Sequence, residues 1–410
     1  MNFKIPLLIK KYFFTQKHIP NLKELGSLGL KKEEKRQLLV TLRYAFILFH
    51  VIAEKMHKLS KKTSCQLACS ILMVSTQELL IHKQPFYHVS QDLKTTLLQA
   101  RLQWLLKPAL AFLKDLPSLD LILQNVQKTL SDENVLHHLL QETPSLDFKV
   151  FFSHPPLWLR IDNPDALRMI HSELIIQESA SPLNAVLLKY STPETETLFQ
   201  RGYISYQDIA SQSLIEAIDK IEQPIHVIDA CAAPGGKATA LMKRWSTSHF
   251  TLTDNDEIRL DGMNANINRV FQNNSHEAKI LNHDWTTATL DEKADFILVD
   301  APCSGTGVIR RHPDILWNKT VVDLIKSSNI QKKILQNASS CLKSRGYLLY
   351  STCSLSSIEN DEVVKDFLSN NLDFKTEPFT LSRGVRTSYG IQIIPSNEQD
   401  GLYYCLLRKN

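Results

Sequence analysis

Glycine is scarce in this 410-residue chain, and its placement says more than its number: of twelve glycines only Gly26 and Gly29 lie in the first 200 residues. The two halves are therefore built differently, because tight strand-to-helix turns need glycine. Long apolar runs are missing as well. The longest, residues 44–53, is interrupted by His50 and falls well short of the ~20 residues of a membrane-spanning helix. The N-terminal stretch Ile5-Pro-Leu-Leu-Ile9 runs straight into Lys10 and Lys11 and is shorter than the ~7–15-residue apolar region of a secretory signal. Seven cysteines, an odd number, form no paired Cys-x-x-Cys sets and no Cys/His zinc spacing. That argues against a disulfide framework or a metal site and for free thiols in a reducing compartment, the cytoplasm.

What is present is enough for two or three domains: 43% of the residues are apolar, which supports an ample core at this length. The net charge of +4 hides an asymmetry. Residues 1–150 carry 21 Lys and Arg against 12 Asp and Glu, whereas residues 151–410 carry 26 against 31. A basic amino-terminal part beside an acidic body fits a polyanion-binding module joined to a catalytic domain, and equally a solvated basic face with no partner.

Periodicity divides the chain in three. Over residues 31–142 apolar residues recur at helical spacing (Leu39, Leu42, Ala45, Phe46 and Phe49; Leu67, Ile71, Val74 and Leu79; Leu98, Leu102, Leu105 and Leu106), predicting a bundle of four to six helices. Pro144, Pro155 and Pro156 break this pattern and mark a connector. Strands are predicted at 157–161 and 185–190 around a short helix over 165–173, a small α/β insert. From residue 226 onward, strands at 226–230, 250–254, 279–281, 295–300, 346–352 and 402–407 alternate with helices near 237–243, 257–269, 321–342 and 358–369. Such alternation predicts an α/β, doubly wound sheet, parallel for most of its strands. The resulting domains are 1–145, helical; 146–215, connector and small α/β subdomain; and 216–410, the doubly wound domain. Ligands of such sheets bind beyond the carboxyl ends of the strands.

At the first such end stands Asp229-Ala230-Cys231-Ala232-Ala233-Pro234-Gly235-Gly236-Lys237. The glycine pair lets backbone N–H groups approach an anionic ligand group at a helix start; a tight turn with nothing bound is the alternative. With Cys231 and Ala238 where a phosphate-binding Walker loop needs glycine and Ser or Thr, the turn is not of that type. Asp254, at the end of the next strand, is placed to hold two ribose hydroxyls. Asp284, after the third strand, can receive an adenine amino group or cap its own loop. An amino-acid carboxylate, a ribose and an adenine together describe S-adenosylmethionine.

Two further blocks carry the chemistry: Asp300-Ala-Pro-Cys303-Ser-Gly-Thr-Gly307 and Ser351-Thr-Cys353-Ser-Leu355, each closing an apolar strand. Carbon 5 of cytosine becomes nucleophilic only after a nucleophile adds at carbon 6, and a thiolate suits that step. A free thiol has a pKa near ~8.5 and needs help to ionise, for which Lys237 offers positive charge. Neighbouring strands lie ~4.8 Å apart, so both thiols can reach one ring. Asp300 can bind the ring nitrogen and exocyclic amine, or serve the cofactor. Cys65, Cys69, Cys341 and Cys405 fall in apolar patterns and are expected to be core residues.

The chain resembles the Sun-family RNA 5-methylcytosine methyltransferases, and within them the bacterial branch acting on small-subunit (16S) rRNA. The residues that carry the resemblance are Pro155-Pro-Leu-Trp-Leu-Arg-Ile161, Gln207-Asp-Ile-Ala-Ser-Gln212, Asp229 to Lys237, Asp300 to Trp317 and Thr352-Cys-Ser354. It implies a class I methyltransferase (Rossmann-like) fold preceded by an all-α, NusB-like RNA-binding bundle. It also implies Cys353 as the attacking thiol, Cys303 as the group assisting release, and Asp300 and Lys237 beside them. Cofactor contacts are implied for Cys231, Ala232, Ala233, Pro234, Gly235, Gly236, Lys237, Asp254, Asp284 and Asp300. The implied partner is 16S rRNA, free or partly assembled into the small subunit, with no metal and no membrane, and with the protein a monomer. The same chemistry on transfer RNA or DNA, and a non-catalytic RNA-binding assembly factor, are the competing readings. Arg310, Arg311 and His312 are candidate phosphate contacts.

Overall fold

The computed structural model describes residues 4–9 and 134–410 apart from 180–184 and 273–277, and between them scattered positions, chiefly 70–76 and 89–93. The chain divides into two compact units, one of residues 1–141, 148–153 and 309–321, the other of residues 142–147, 154–308 and 322–410.

In the first unit, Leu38, Leu42, Ile52, Ile71, Val74 and Leu93 have helical backbone and are buried. They agree with the predicted bundle where it is described; Leu39, Ala45, Phe46, Phe49, Leu67, Leu79, Leu98, Leu102, Leu105 and Leu106 lie outside the described residues. The helix Val135–Glu142 buries Val135, Leu136 and Leu139, an i, i+1, i+4 stripe that makes one face. The segment 309–321, which the sequence assigns to the doubly wound domain, groups instead with this unit and contains the short helix Ile315–Asn318.

The second unit holds two sheets. The smaller has the order β2-β3-β1-β4, from β1 (Leu157–Ile161), β2 (Ile175–Glu178), β3 (Ala185–Leu188) and β4 (Ile204–Tyr206), and is antiparallel throughout. Strand β2, exposed at three of its four residues, and β4, of three residues, show no buried run in the sequence. The helix predicted over 165–173 ends at Met169, where Ile170 turns extended, and a 3-10 turn, Ser172–Leu174, follows.

The larger sheet is built from β5 (His226–Asp229), β6 (His249–Asp254), β7 (Ala278–Asn282), β8 (Ala294–Asp300), β9 (Leu342–Thr352), β10 (Phe374–Thr376), β11 (Val385–Arg386), β12 (Ile391–Ile393) and β13 (Leu402–Lys409). Its order is β11-β12-β13-β9-β8-β5-β6-β7, with β10 paired to β13. Strands β7, β6, β5, β8 and β9 run parallel, and the remainder are antiparallel. The chain winds outward from β5 through β6 to β7, then returns to lay β8 on the other side of β5. The order therefore reverses between β5 and β8, where such sheets open a crevice.

Successive strand residues face opposite sides. Val227, Phe250, Leu252, Phe296 and Leu298 pack with Leu241, Met242, Trp245 and Met263 on one side. Ile228, Ile297, Val299, Leu348 and Tyr350 pack with Ile334, Leu335, Val364 and Phe367 on the other. The helix predicted over 321–342 stops at Ser340 because β9 begins at Leu342, and Arg345 takes a positive φ of 64° within that strand. The helix predicted over 358–369 is split into a 3-10 turn, Ser357–Glu359, and a helix, Asp361–Asn370. Strands β10 to β12 are missing from the sequence reading because two or three residues make no alternation.

Candidate active site

The glycine turn leaves β5 at Asp229 and enters the helix Gly236–Arg244 through Gly235, whose φ of +95° is the left-handed conformation that disfavours a side chain. A Cβ there would also stand 2.9 Å from Met263 Cγ. Gly235 donates its N–H to the Ala232 carbonyl at 2.7 Å, and Ala232 donates to the Thr253 carbonyl at 2.8 Å. These bonds fix the turn against β6.

The turn is held from below by a residue to which the sequence reading gives no role. Arg160, buried in β1, donates to the Gly236 carbonyl (2.6 Å), Thr239 Oγ1 (2.9 Å) and Gln207 Oε1 (2.8 Å), and pairs with Asp162 (2.7 Å). It joins the small sheet to the start of the helix that the glycine pair opens. Truncating one partner of a buried ion pair leaves the other charge uncompensated, so Arg160→Ala is expected to cost about 3–5 kcal/mol of stability in urea unfolding.

The acids fall at the strand ends, as expected. Asp254 closes β6; its Oδ2 accepts from the Ala233 amide (3.3 Å), while Oδ1 accepts from the Asp256 amide (3.2 Å) and pairs with the half-exposed Arg259 (3.2 Å). Asp284 uses Oδ1 to accept from the Thr286 amide (2.8 Å) and hydroxyl (2.7 Å), which hold its carboxyl below the usual range. It thus caps its own loop, the alternative open in the sequence.

Asp229, at the end of β5, is given no role in the sequence analysis. Only 1% exposed, it has no well-formed hydrogen bond at either carboxylate oxygen. Burial first and the Asp300 charge second push its pKa from 3.8 up to about 8, with Lys237 and the Cys231 amide pulling the other way and Asp254 adding to the rise. The signal was its place as the last residue of a buried strand, directly before the turn.

Because the folded state holds this proton more tightly than the unfolded chain, the stability it contributes is full below about pH 3.8 and lost as pH rises through about 8. Asp229→Asn should therefore gain stability relative to the parent by a few kcal/mol between pH 5 and pH 9. Thermal unfolding across that range is the measurement, and parallel curves for the two proteins would refute it.

The two thiols meet. The β8–β9 register pairs Asp300 with Ser351, and beyond it Cys303 Sγ lies 3.2 Å from Cys353 Sγ, both residues partly exposed. Lys237, 8% exposed, forms an ion pair with Asp300 Oδ1 and lies 3.4 Å from Ser351 Oγ, which donates to the same oxygen at 2.7 Å. Lys237 therefore braces β8 to β9 and has its charge balanced by Asp300. Cys303 has its pKa pushed well up, by its hydrogen bond to Cys353, by burial, by the Cys353 charge and by Glu359.

Cys231 is partly exposed, and burial and the nearby Asp229, Asp300 and Asp254 push its thiol well up. Cys341 and Cys405 are buried and donate to the Leu290 and Tyr389 carbonyls, as core residues do; Cys65 and Cys69 lie outside the described residues. Of the candidate phosphate contacts, Arg311 and His312 are exposed, whereas Arg310 is 1% exposed and so is not a surface contact. Among the described residues no group of three or more His, Cys, Asp or Glu could hold a metal ion. No helix among them is long and apolar enough to cross a membrane.

Residues 218–408 match the family model described as 16S rRNA methyltransferase RsmB/F. The ribosomal RNA small subunit methyltransferase B of Pasteurella multocida is 37% identical over 272 residues, 62% of this chain and 59% of that protein. The probable enzyme of that name from Coxiella burnetii is 34% identical over 272 residues, 63% of this chain and 62% of its own length. The chain thus spans about three-fifths of the length of the relatives it matches. Among solved structures, that titled PH0851 superposes with a TM-score of 0.71 at 19% identity, over 100% of this chain and 99% of that one. A methyltransferase homolog from Pyrococcus horikoshii superposes at 0.56 with 23% identity, over 67% and 94%. These two show that the fold is shared. Through residues 218–408, with both thiol blocks and the glycine turn intact, the chain is similar to the RsmB/F family of 16S rRNA methyltransferases.

Proposed function

We propose that this protein transfers a methyl group from S-adenosylmethionine to carbon 5 of a cytosine in small-subunit (16S) ribosomal RNA, through a bond between Cys353 Sγ and carbon 6 of the ring. The observation that carries the reading is the pair of thiols 3.2 Å apart at the carboxyl ends of neighbouring parallel strands, beside the Lys237–Asp300 pair.

The residues present fit the methyl donor. Burial first, and then the Asp300 and Asp254 charges, raise Asp229 to about 8, and the Asp229 oxygens have no well-formed hydrogen bond. A ligand bearing a sulfonium and an ammonium group relieves that repulsion, whereas a diphosphate adds to it. The Gly235-Gly236 turn leaves room: a Cβ on Gly236 would meet nothing nearer than Gln207 Nε2 at 3.6 Å. The residues that would hold the donor run from Cys231 to Lys237, with Asp254, Asp284 and Asp300; a ribose diol would replace Arg259 on Asp254. When bound, it supplies a methyl group activated by positive sulfur.

The chain does the rest. At 3.2 Å the S–H of Cys303 can donate to a thiolate on Cys353, the form that attacks. Addition of Cys353 sulfur to carbon 6 pushes the ring's electron pair to carbon 5, which takes the methyl group. The carbon 5 proton then leaves to solvent, the double bond re-forms, and the sulfur departs with Cys303 donating toward it. Asp300 accepts both Lys237 and Ser351 on Oδ1, leaving Oδ2 for a ligand donor, either the cytosine amine or the cofactor.

The family match and the names of the relatives favour 16S rRNA over transfer RNA or DNA. The basic residues 1–145 supply a helical, NusB-like RNA-binding unit ahead of the subdomain at 146–215 and the catalytic domain at 216–410, in a cytoplasmic monomer. Intact thiols weigh against a non-catalytic assembly factor. The test is transfer of labelled methyl from S-adenosylmethionine to 16S rRNA by the purified protein, with bisulfite sequencing of rRNA from cells with and without it. A bisulfite-resistant cytosine that vanishes with the gene is the expected result; label absent from 16S rRNA, or confined to transfer RNA, overturns the reading.

A further inference from the structure

The β8–β9 ladder ends before it reaches either thiol. Its last pair is Asp300 with Ser351, three residues short of Cys303 and two short of Cys353. Backbone bonds from Ala301 to the Ser351 carbonyl (2.9 Å) and from Gly307 to the Cys353 carbonyl (2.8 Å) flank the gap. Glu359, fully buried, fills it. Its Oε1 accepts from the Ser304 amide (2.8 Å) and Gln331 Nε2 (3.0 Å); its Oε2 accepts from Ser304 Oγ (2.5 Å) and Ser354 Oγ (2.6 Å). Ser304 follows Cys303 directly and Ser354 follows Cys353 directly. Gln331 also donates to the Pro302 carbonyl (2.9 Å), on the other side of Cys303.

We propose that Glu359 is a positioning residue for the thiol pair, its carboxylate tying the loop that carries Cys303 to the loop that carries Cys353. The inference rests on the proposed methyl transfer for its purpose but on the network alone for its geometry. A buried carboxylate with only neutral partners is costly, and four donors are what offset it. Two of the four belong to the residue after one thiol and one to the residue after the other, so loss of the carboxylate frees both loops at once. The same charge adds to the upward push on the Cys303 thiol.

The test reads thiol geometry without RNA. Diamide takes two electrons and two protons from the thiols and becomes the hydrazine as one sulfur–sulfur bond forms between Cys303 and Cys353; mass spectrometry follows the rate. Glu359→Ala should slow this cross-link at least about tenfold and lower kcat for methyl transfer about 100-fold, since an ångström of misplacement has that effect, with the Kd for S-adenosylmethionine unchanged. Glu359→Gln keeps the shape, with its oxygen still accepting from Ser304 and Gln331 and its amide donating to the two hydroxyls, and should stay within about threefold of the parent. If Glu359→Ala does not fold, the Ser304→Ala, Ser354→Ala pair, which cuts both hydroxyl ties and keeps the carboxylate, should show the same loss. Cross-linking at the parent rate in the tie-less variants, or a Gln variant as poor as Ala, overturns the proposal. A cross-link that responds as expected in a parent protein that methylates no RNA would instead refute the proposed function alone.

Discussion

Cys353→Ala is expected to lower methyl transfer at least about 1,000-fold, because without a nucleophile carbon 5 is not made electron-rich and nothing else at the strand ends replaces the sulfur. Cys303, at 3.2 Å, is the obvious substitute. It is a poor one: Cys353 is gone as hydrogen-bond partner, but burial and Glu359 still oppose its ionisation. The variant should fold, since Cys353 is partly exposed and the loss of one sulfur there opens no sealed cavity. Single-turnover transfer of labelled methyl, with cofactor binding measured beside it, separates the outcomes. A normal rate would end the assignment, and a loss explained by cofactor affinity would move Cys353 from reactant to cofactor neighbour.

Cys303→Ala should behave in the opposite sense for one species. Attack by Cys353 survives, but the donor that stabilises the departing sulfur is removed, so turnover falls about 100-fold and the covalent protein–RNA species accumulates. Denaturing gel electrophoresis detects that species as a band sensitive to nuclease. The double variant Cys303→Ala, Cys353→Ala should form none. If Cys303→Ala turns over normally with no adduct, the two thiols do not divide the work. If instead Cys303→Ala abolishes the adduct and Cys353→Ala traps it, the roles are reversed, as they would be were Cys303 the less encumbered acid. The hydrogen bond to Cys353, burial and Glu359 all oppose charge on Cys303, which agrees with the first order.

The motifs were legible in the sequence because they are local. The glycine turn, the Pro-Cys and Thr-Cys blocks and the strands that precede them are contiguous runs, and β1, β5 to β9 and β13 are long enough to show buried patterns. Even the adjacency of β8 and β9 follows from how doubly wound sheets connect. The short strands β2, β4, β10, β11 and β12 were not legible, since β4 and β10 to β12 have only two or three residues, β2 is mostly exposed, and the strands they pair with supply the order that their own residues lack.

The identity of the thiols, the turn and the strand-end acids was thus set by the sequence itself, through turn chemistry and buried strand periodicity. Only the tertiary structure decided their states. Lys237 is committed to Asp300, Arg160 reaches across from another sheet to hold the glycine turn, Asp229 is buried without a well-formed hydrogen bond, and Glu359 bridges loops fifty residues apart. Charge, burial and hydrogen bonding depend on distances between residues remote in the chain, and those distances exist only once the sheet has formed.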